Sequence, residues 1–469
     1  GNLPMKKTAG HVFFLFLLLV CGGFCLLGAA SKPKTEPKPI SLHTYSVKQL
    51  KEDFEQFQNT IKTNHPMLYT NQAELNELFI NQAQLLKGPM GELEFYRILA
   101  PIVAKLNCGH TRLGLSGENG SFYYQSSRYL PLQLKVIHSR IYVVQSLSKA
   151  KLPPGSEILS INGRPTVEII QALLNNISAD GANLSKKYYE MNHSFNDLYF
   201  TYIETPKQFV ITYIAPHDST GLDARNAIAK KVTLTAVNKG KLGELIWNQS
   251  PPQKENEGLS PYWSQFTKNY ALLTIESFGF YNSAPQQQFK TFIDQFFNEL
   301  AEAGLANLIL DLRDNWGGDP YCSAYLFSYL LQTPQPYFAE ESPYYYDLKQ
   351  PLTPASDNFK GSLYILTNGA SFSSTGHLCS LLKYHRIGVF IGEETGGSFV
   401  CTDSSRDEIL LNTGIQLHYS TMAFKTAVSG LTPGRGIMPD YEVVPTIQDY
   451  LQRKDVELDF AVGLIEKKK

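Results

Sequence analysis

A hydroxyl-rich turn in the C-terminal half of the chain contains residues that suit nucleophilic chemistry. Ser373 and Ser374 lie between an apolar strand pattern at 363–367 and a helical pattern at 374–382. A serine at a helix N-terminus is well placed for attack, because the helix dipole and the free N–H groups stabilise a developing anion. Serine is also a preferred N-cap residue, so this turn by itself predicts a helix cap more strongly than a nucleophile.

Two further segments carry residue types that suit the same chemistry. A strand pattern at 308–312 ends in a charged turn followed by Gly317 and Gly318. Glycine lets backbone N–H groups approach a ligand as closely as an oxyanion hole requires. His110 has the side chain that most often serves as a general base. Each segment alone has an ordinary explanation, because strand–helix turns are common and a single histidine is usually structural.

The elements that would position Ser373 and the glycine pair follow a repeating order. The strand patterns lie at 270–275, 308–312, 363–367 and 389–391, and the helical patterns at 289–300, 324–331 and 374–382. Repeated strand–helix units predict a mostly parallel sheet covered by helices. We assign this α/β core to residues 241–469.

Two other domains are predicted before the core. Apolar residues at helical spacing predict an N-terminal helical domain over 41–124, which carries His110. Short alternating runs predict a β-rich domain with an insertion over 125–240, and its segment Pro154–Gly163 (PGSEILSING) resembles the central part of PDZ domains. The predicted fold class is therefore multi-domain α/β.

The first forty residues do not fit a folded domain. Residues 1–30 have a short basic start, an apolar stretch and small residues, which is the three-part pattern of a secretory signal. Residues 31–40 (SKPKTEPKPI) form a Pro/Lys linker. A membrane anchor and a lipid attached to Cys21 or Cys25 remain alternatives to cleavage. Each alternative predicts an exported protein in the periplasm, in the cell envelope or outside the cell, and the anchor predicts membrane association.

Composition excludes several classes of function. The 469 residues include 42 Lys plus Arg and 43 Asp plus Glu, and a net charge of -1 provides no basic field for nucleic acid. A hydrophobic fraction of 43% excludes a disordered chain. Outside the apolar leader, the cysteines show no CxxC spacing, so we expect no metal site. Most of Cys108, Cys322, Cys379 and Cys401 are expected to be buried as small apolar residues, and whether they form disulfides is left open.

Taken in order, the motifs resemble those of the C-terminal processing (tail-specific) serine peptidases. The resemblance lies in Asp311–Gly318 (DLRDNWGG), Ser371–Ser374 (SFSS), Gly392–Gly397 (GEETGG) and Gly436–Asp440 (GIMPD). The upstream Gly-His-Thr resembles the histidine motif of the tricorn-type and chlamydial-protease-type branch. The resemblance covers most of the chain and implies a core similar to the Clp/crotonase superfamily, preceded by the helical and PDZ-like domains.

The resemblance implies a role for each matching residue. Ser373 corresponds to the nucleophile and His110 to the general base. Gly317 or Gly318, together with the N–H of Ser374, corresponds to the oxyanion hole. The branch that uses a lysine base has it twenty-five residues after the serine, where this chain has Ser398, so a histidine base is favoured.

The third member of the catalytic group is not matched. The Ser/His branch has an orienting glutamate just before its Gly-x-x-Pro-Asp motif, and this chain has no acid between residues 421 and 439. Glu393 and Glu394 are the candidates that remain. His377, one turn after Ser373, is expected to point along the helix and to be structural.

These observations predict an exported serine endopeptidase that hydrolyses peptide bonds through an acyl-enzyme and processes C-terminal regions. Its partners would be protein or peptide substrates, without nucleic acid, metal or cofactor, and the oligomeric state is left open. Arg128, Leu130 and Leu132 are candidates for binding an extended peptide by strand addition. The alternative is a weak or inactive peptidase-like module that binds peptides or lipophilic ligands. CoA-ester chemistry is disfavoured, because an exported protein would not meet CoA.

Overall fold

The computed structural model describes residues 43–117, 120–150, 152–216, 228–249 and 260–467. Its helices are α1 (Val47–Asn64), α2 (Gln72–Ala83), α3 (Glu92–Lys105), α4 (Gly120–Ser126), α5 (Thr166–Leu174), α6 (Ser185–Tyr202), α7 (Lys239–Gln249), α8 (Ser283–Glu302), α9 (Pro320–Ser328), α10 (Ser374–Tyr384), α11 (Ile447–Leu451) and α12 (Val456–Lys467). The predicted leader and linker, residues 1–40, lie outside the described residues.

The strands are short and are spread along the chain. They are β1 (Thr44–Tyr45), β2 (Met90–Gly91), β3 (Arg112–Gly114), β4 (Leu132–Ile137), β5 (Arg140–Ser146), β6 (Glu157–Ile161), β7 (Arg164–Pro165), β8 (Gln208–Ile214), β9 (Lys230–Thr235), β10 (Tyr262–Phe266), β11 (Ala271–Ile275), β12 (Asn307–Asp311), β13 (Ser362–Thr367), β14 (Val389–Gly392), β15 (Val400–Asp403), β16 (Arg406–Ile409), β17 (Gln416–Tyr419), β18 (Met422–Lys425) and β19 (Tyr441–Glu442).

A six-stranded sheet in the C-terminal region confirms the predicted α/β class. Its order is β10-β11-β12-β13-β14-β19, and every pair is parallel except the antiparallel edge pair β10–β11. Helices α8, α9 and α10 provide the crossovers from β11 to β12, from β12 to β13 and from β13 to β14. Parallel neighbours need such crossovers, because a two-residue hairpin cannot join them.

This sheet is covered on both faces. Leu308 and Leu310 of β12 face the core formed with α8, α9 and α10, whereas Ile309 faces α12. Burial of both faces explains why the strands are nearly continuous apolar runs. The carboxyl ends of β12 and β13 lie at the same edge, so the turns that follow them meet there.

The N-terminal helical region is completed by a distant hairpin. Helices α1, α2 and α3 pack their apolar faces together, and a capping box of Ser46 and Gln49 fixes the start of α1. The hairpin β16–β17 pairs antiparallel with β3 and adds Leu410, Leu417 and other apolar side chains to the same core. Local periodicity could not predict this pairing, because it joins segments that are hundreds of residues apart.

The middle of the chain forms an antiparallel sheet in the order β4-β5-β6-β8-β9, with β7 paired to β6. Helix α6 lies against its edge strand β4. Asn192 of α6 binds both backbone groups of Val136, and Asn196 binds both backbone groups of Leu130. Helix α6 therefore occupies the backbone groups that a strand added at this edge would need.

The four cysteines outside the leader are buried, as expected for most of them, and all four are free thiols. Within the described ranges, no helix has both the length and the apolar character that are needed to cross a bilayer.

The Asp53 side chain forms several hydrogen bonds that join helix α1 to the turn of the β16–β17 hairpin. Its two carboxylate oxygens accept hydrogen bonds from the N–H groups of Asn412 and Thr413, both at 2.8 Å, and from Thr413 Oγ1 at 2.7 Å. The Asp53 side chain is fully buried. An unpaired buried donor costs about 1–3 kcal/mol, so this carboxylate is needed to keep the hairpin in place.

We predict that Asp53→Ala lowers the free energy of unfolding by about 3 kcal/mol, because it leaves these buried donors without an acceptor. Urea denaturation followed by circular dichroism measures the change. Glu55→Ala, an exposed position on the same helix, is the matched control and should change stability by less than about 0.5 kcal/mol. Equal effects of the two substitutions would contradict this role for Asp53.

Candidate active site

Ser373 occupies a strained turn at the start of α10. Its backbone has φ 55° and ψ −126°, a conformation that non-glycine residues rarely adopt and that costs about 1–3 kcal/mol. Although Ser373 is the N-cap residue of α10, its side chain makes no capping hydrogen bond. The hydroxyl instead faces His110, and Ser373 Oγ lies 3.1 Å from His110 Nε2.

His110 reaches this position from the segment between α3 and β3. Its ring packs against Phe372, with 4.6 Å between ring centroids and 31° between the planes. The next residue, Thr111, is held by hydrogen bonds between its Oγ1 and both Cys108 Sγ and His65 Nε2. The structure thus brings together the two residues that the motifs indicated as nucleophile and base.

Burial lowers the pKa of His110 from its ordinary value of 6.5 to about 4. The negative charge of Asp403 acts in the opposite direction, and the positive charges of Lys186 and Arg112 lower the pKa further. A neutral imidazole is the form that can accept a proton from serine. His110 is therefore in its basic form at neutral pH.

The glycine turn packs directly against the nucleophile. Gly317 has φ +91° and Gly318 has φ +140°, and a Cβ on Gly317 would lie 2.7 Å from the Phe372 carbonyl oxygen and 2.8 Å from Ser373 Cβ. The buried Asn315 joins the two turns, because its Oδ1 accepts hydrogen bonds from Gly317 N–H and from Thr375 Oγ1.

Only one of the two predicted glycines is suited to an oxyanion hole. The Gly317 N–H is used by Asn315 at 2.9 Å, so this part of the prediction is corrected. The Gly318 N–H makes no hydrogen bond with the described residues. Ser374 begins α10, where backbone N–H groups have no partner within the helix. The N–H groups of Gly318 and Ser374 are therefore the donors that could meet an oxyanion.

The structure does not place either predicted orienting glutamate at His110. Glu394 binds Arg435 through two hydrogen bonds of 2.9 Å and also accepts from the Gly436 N–H. Burial raises the pKa of Glu393, and the charge of Lys135 acts against this shift. Among the described residues, the carboxylate within 4.0 Å of a His110 ring nitrogen is that of Asp403, so neither glutamate contacts the histidine as predicted.

The carboxylate nearest to the His110 ring is Asp403, at the end of β15. Its Oδ2 lies 4.0 Å from His110 Nε2, and about half of its side chain is exposed. The sequence analysis did not single out Asp403, which belongs to no motif. Asn315 lies inside the DLRDNWGG motif, which was the available signal for its role.

His377 and Cys108 are structural in this arrangement. His377 is buried, and its Nε2 lies 3.4 Å from Cys401 Sγ rather than near the Ser373 hydroxyl. Cys108 Sγ binds Thr402 Oγ1 at 2.8 Å and Ser420 Oγ at 3.4 Å, and burial raises the pKa of its thiol. A raised thiol pKa means that Cys108 is protonated and is not a nucleophile at neutral pH.

The predicted peptide-binding loop is corrected by the structure. Leu130 and Leu132 are buried in the core of the middle sheet and are not available to a ligand. Both backbone groups of Leu130 are used by Asn196. Arg128 is half-buried and forms no ion pair within the described part of the chain. The error arose because alternating apolar residues at a strand start fit a core as well as a groove.

We predict that His110 titrates at about pH 4, measured by NMR of ¹⁵N-histidine-labelled protein, with His110→Asn used to assign its signals. The unfolded chain protonates this residue near its ordinary value of 6.5, so the folded state binds fewer protons between these two values. His110 therefore contributes a loss of stability as the pH falls from 6.5 toward 4. A titration midpoint at or above 6.5 would contradict the burial argument.

Comparison with known proteins agrees with this geometry. Residues 269–443, which hold the parallel sheet, Ser373 and the glycine pair, match the profile of peptidase family S41. No curated protein sequence matches the chain.

Solved structures share the fold at low sequence identity. The crystal structure of mature CPAF matches with a TM-score of 0.63 and 14% identity, over 89% of this chain and 96% of that chain. The structure of mature CPAF complexed with lactacystin matches with a TM-score of 0.62 and 13% identity, over 89% and 98%. The crystal structure of a CPAF mutant matches with a TM-score of 0.61 and 12% identity, over 90% and 98%. Through residues 269–443 of its α/β core, the chain is therefore similar to peptidase family S41, a family of serine peptidases.

Proposed function

We propose that this protein is an exported serine endopeptidase that forms an acyl-enzyme on Ser373 and acts on the C-terminal regions of proteins or peptides. The observation that carries the catalytic part is the 3.1 Å hydrogen bond between His110 Nε2 and Ser373 Oγ. Export is supported by the secretory-signal pattern of residues 1–30. Action on C-terminal regions is supported by the motif resemblance.

The proposed reaction begins with attack of Ser373 Oγ on the substrate carbonyl carbon, while His110 Nε2 accepts the hydroxyl proton. The C–O bond to serine forms, and the carbonyl π electrons move to the oxygen. His110 then gives the proton to the leaving amine as the C–N bond breaks, which leaves an ester on Ser373. Water repeats the same steps with His110 as base, and it releases the acid product and free enzyme. General base catalysis of this kind contributes about 10²–10⁴ in rate.

The oxyanion would be held by the N–H groups of Gly318 and Ser374. Each donor of this type contributes about 10²–10³ in turnover, because it stabilises charge that develops only in the transition state. The positive end of α10 acts in the same direction. The strained backbone of Ser373 fits this role, since the hydroxyl makes no capping hydrogen bond and faces His110 instead.

One observation favours the alternative of a weak or inactive peptide-binding module. Within the described ranges, no hydrogen bond to His110 Nδ1 is found. A histidine whose Nδ1 is not held loses its preferred tautomer, and this costs rate. Measured reactivity of Ser373 separates the two functions.

We predict that a fluorophosphonate probe labels the purified protein at Ser373. Ser373→Ala should abolish labelling, and His110→Ala should slow it by about 10²–10⁴ because the base is lost. His43→Ala, an exposed histidine outside the site, is the matched control and should label like the parent protein. Mass spectrometry of a peptide mixture incubated with the protein then locates cleavage sites, and cuts within peptides are expected for an endopeptidase. A folded protein without labelling or cleavage would favour the binding function.

We also predict that Gly317→Ala slows labelling by at least about 10²-fold, because its Cβ would displace the Phe372–Ser373 backbone. Gly430→Ala is the control for backbone strain. Gly430 has a similar φ of +74°, and its Cβ would meet no atom within 4 Å. Gly430→Ala should therefore keep the labelling rate. If both variants label normally, close packing of the glycine turn against Ser373 is not required.

A further inference from the structure

The acid that serves His110 is not among the residues that the motifs indicate. A serine–histidine pair works best when a carboxylate binds the ring nitrogen that faces away from the serine, because this fixes the tautomer with a free lone pair toward the hydroxyl. In this site Nε2 faces Ser373, so the orienting group must act on Nδ1. His110 Nδ1 is buried and has no hydrogen-bond partner among the described residues.

Asp403 does not meet this requirement. Its carboxylate lies on the Nε2 side of the ring, 4.0 Å from the nitrogen that already contacts Ser373. Its Oδ1 accepts a hydrogen bond from Ser405 Oγ at 2.9 Å, and its side chain is 47% exposed. Asp403 can stabilise a positive imidazolium through space, but a carboxylate at Nε2 would not favour the Nδ1–H tautomer.

Asp180 is a second buried carboxylate close to the histidine segment. It lies in the connection between α5 and α6, is only 2% exposed, and accepts a hydrogen bond of 2.7 Å from the N–H of Gly109 through Oδ1. Gly109 directly precedes His110 in the chain, so this carboxylate is held beside the segment that carries the histidine. Its second oxygen, Oδ2, is buried and has no hydrogen-bond partner.

His110 Nδ1 and Asp180 Oδ2 are both buried without a hydrogen-bond partner among the described residues. Buried polar atoms are nearly always hydrogen-bonded in folded proteins, so we consider whether these two atoms bind each other. One is an acceptor, Asp180 Oδ2, and the other becomes a donor when His110 carries its proton on Nδ1. Gly109 makes this approach possible. A Cβ at Gly109 would lie 3.2 Å from Asp180 Oδ1 and 2.6 Å from Phe372 Cζ, so a larger residue would separate the two groups.

We propose that Asp180 is the positioning residue for His110, favouring Nδ1–H through Oδ2 in the free protein and holding it more closely when substrate is bound. The inference rests on the proposed function. In the structure, the Asp180 carboxylate and the His110 ring do not form a direct ion pair. The carboxylate within 4.0 Å of a His110 ring nitrogen is that of Asp403. Hydrogen bonds of catalytic groups often tighten only in the substrate complex. Asp180 stays ionised and accepts the hydrogen bond without taking the proton.

Several charged or titratable groups act on Asp180 and His110, and their charges affect a pH titration of either residue. The groups that act on Asp180 are Lys186 and Asp403, and those that act on His110 are Asp403, Lys186, Arg112 and His418. Tyr69, Cys108 and Cys401 are the other titratable groups that feel the charge of Asp180. Burial raises the pKa of Asp180 to about 6, so the carboxylate form predominates above this value.

The test compares Asp180→Asn with Asp403→Asn. Asparagine keeps an oxygen that can accept from Gly109 N–H, so Asp180→Asn should fold, which thermal unfolding checks. NMR of ¹⁵N-histidine-labelled protein at pH 7.5 reads the tautomer of His110, and fluorophosphonate labelling reads the reactivity of Ser373. We expect the Nδ1–H tautomer in the parent protein and in Asp403→Asn, and its loss in Asp180→Asn with labelling slowed by about 10²–10⁴.

The proposal is overturned if the parent protein holds the Nε2–H tautomer, or if Asp403→Asn rather than Asp180→Asn changes the tautomer. It is also overturned if Asp180→Asn labels as fast as the parent protein. Failure of the proposed function gives a different result, in which the parent protein and Ser373→Ala are equally unlabelled. The tautomer measurement does not depend on activity, so it still decides the role of Asp180 in that case.

Discussion

The hydrogen bond between His110 and Ser373 is the contact on which the remaining structure depends. The two residues are 263 positions apart in the sequence, so the helical region and the α/β core must be in direct contact at this point. The ring contact with Phe372 and the pairing of β17 with β3 fix the two sides of this junction. Asp53 also joins helix α1 to the β16–β17 hairpin, whose strand β17 pairs with β3. The active site is therefore a property of an interface between chain segments rather than of one domain.

The α/β core supplies the other half of the site by a simple rule of parallel sheets. Adjacent strands β12 and β13 end at the same edge, so the glycine turn and the serine turn that follow them come together. Asn315 then ties the turns through its side chain. The strain at Ser373 is tolerated because this network and α10 hold the turn on both sides. Rigid strands with strained turns at their ends thus place a hydroxyl beside outward-facing N–H groups.

Much of this arrangement could be predicted from the sequence, and the rest could not for physical reasons. Strand and helix patterns predicted the core, and the motifs indicated His110, Ser373 and the glycine turn, because these residues lie in short local patterns. The carboxylates near His110 have no such pattern: Asp180 and Asp403 enter from a loop and a strand end far along the chain. Leu130 and Leu132 were misassigned, because an alternating strand looks the same whether it faces a core or a ligand.

The hairpin β16–β17 has a consequence for the order in which the protein gains reactivity. Strand β3, which follows His110, obtains its partner only when residues 416–419 have been made. A chain that is still emerging from the ribosome therefore has its histidine without the hairpin that positions it, and its serine without a base. Long-range contacts of this kind also form late in folding. The topology delays assembly of the reactive pair until nearly the whole chain exists.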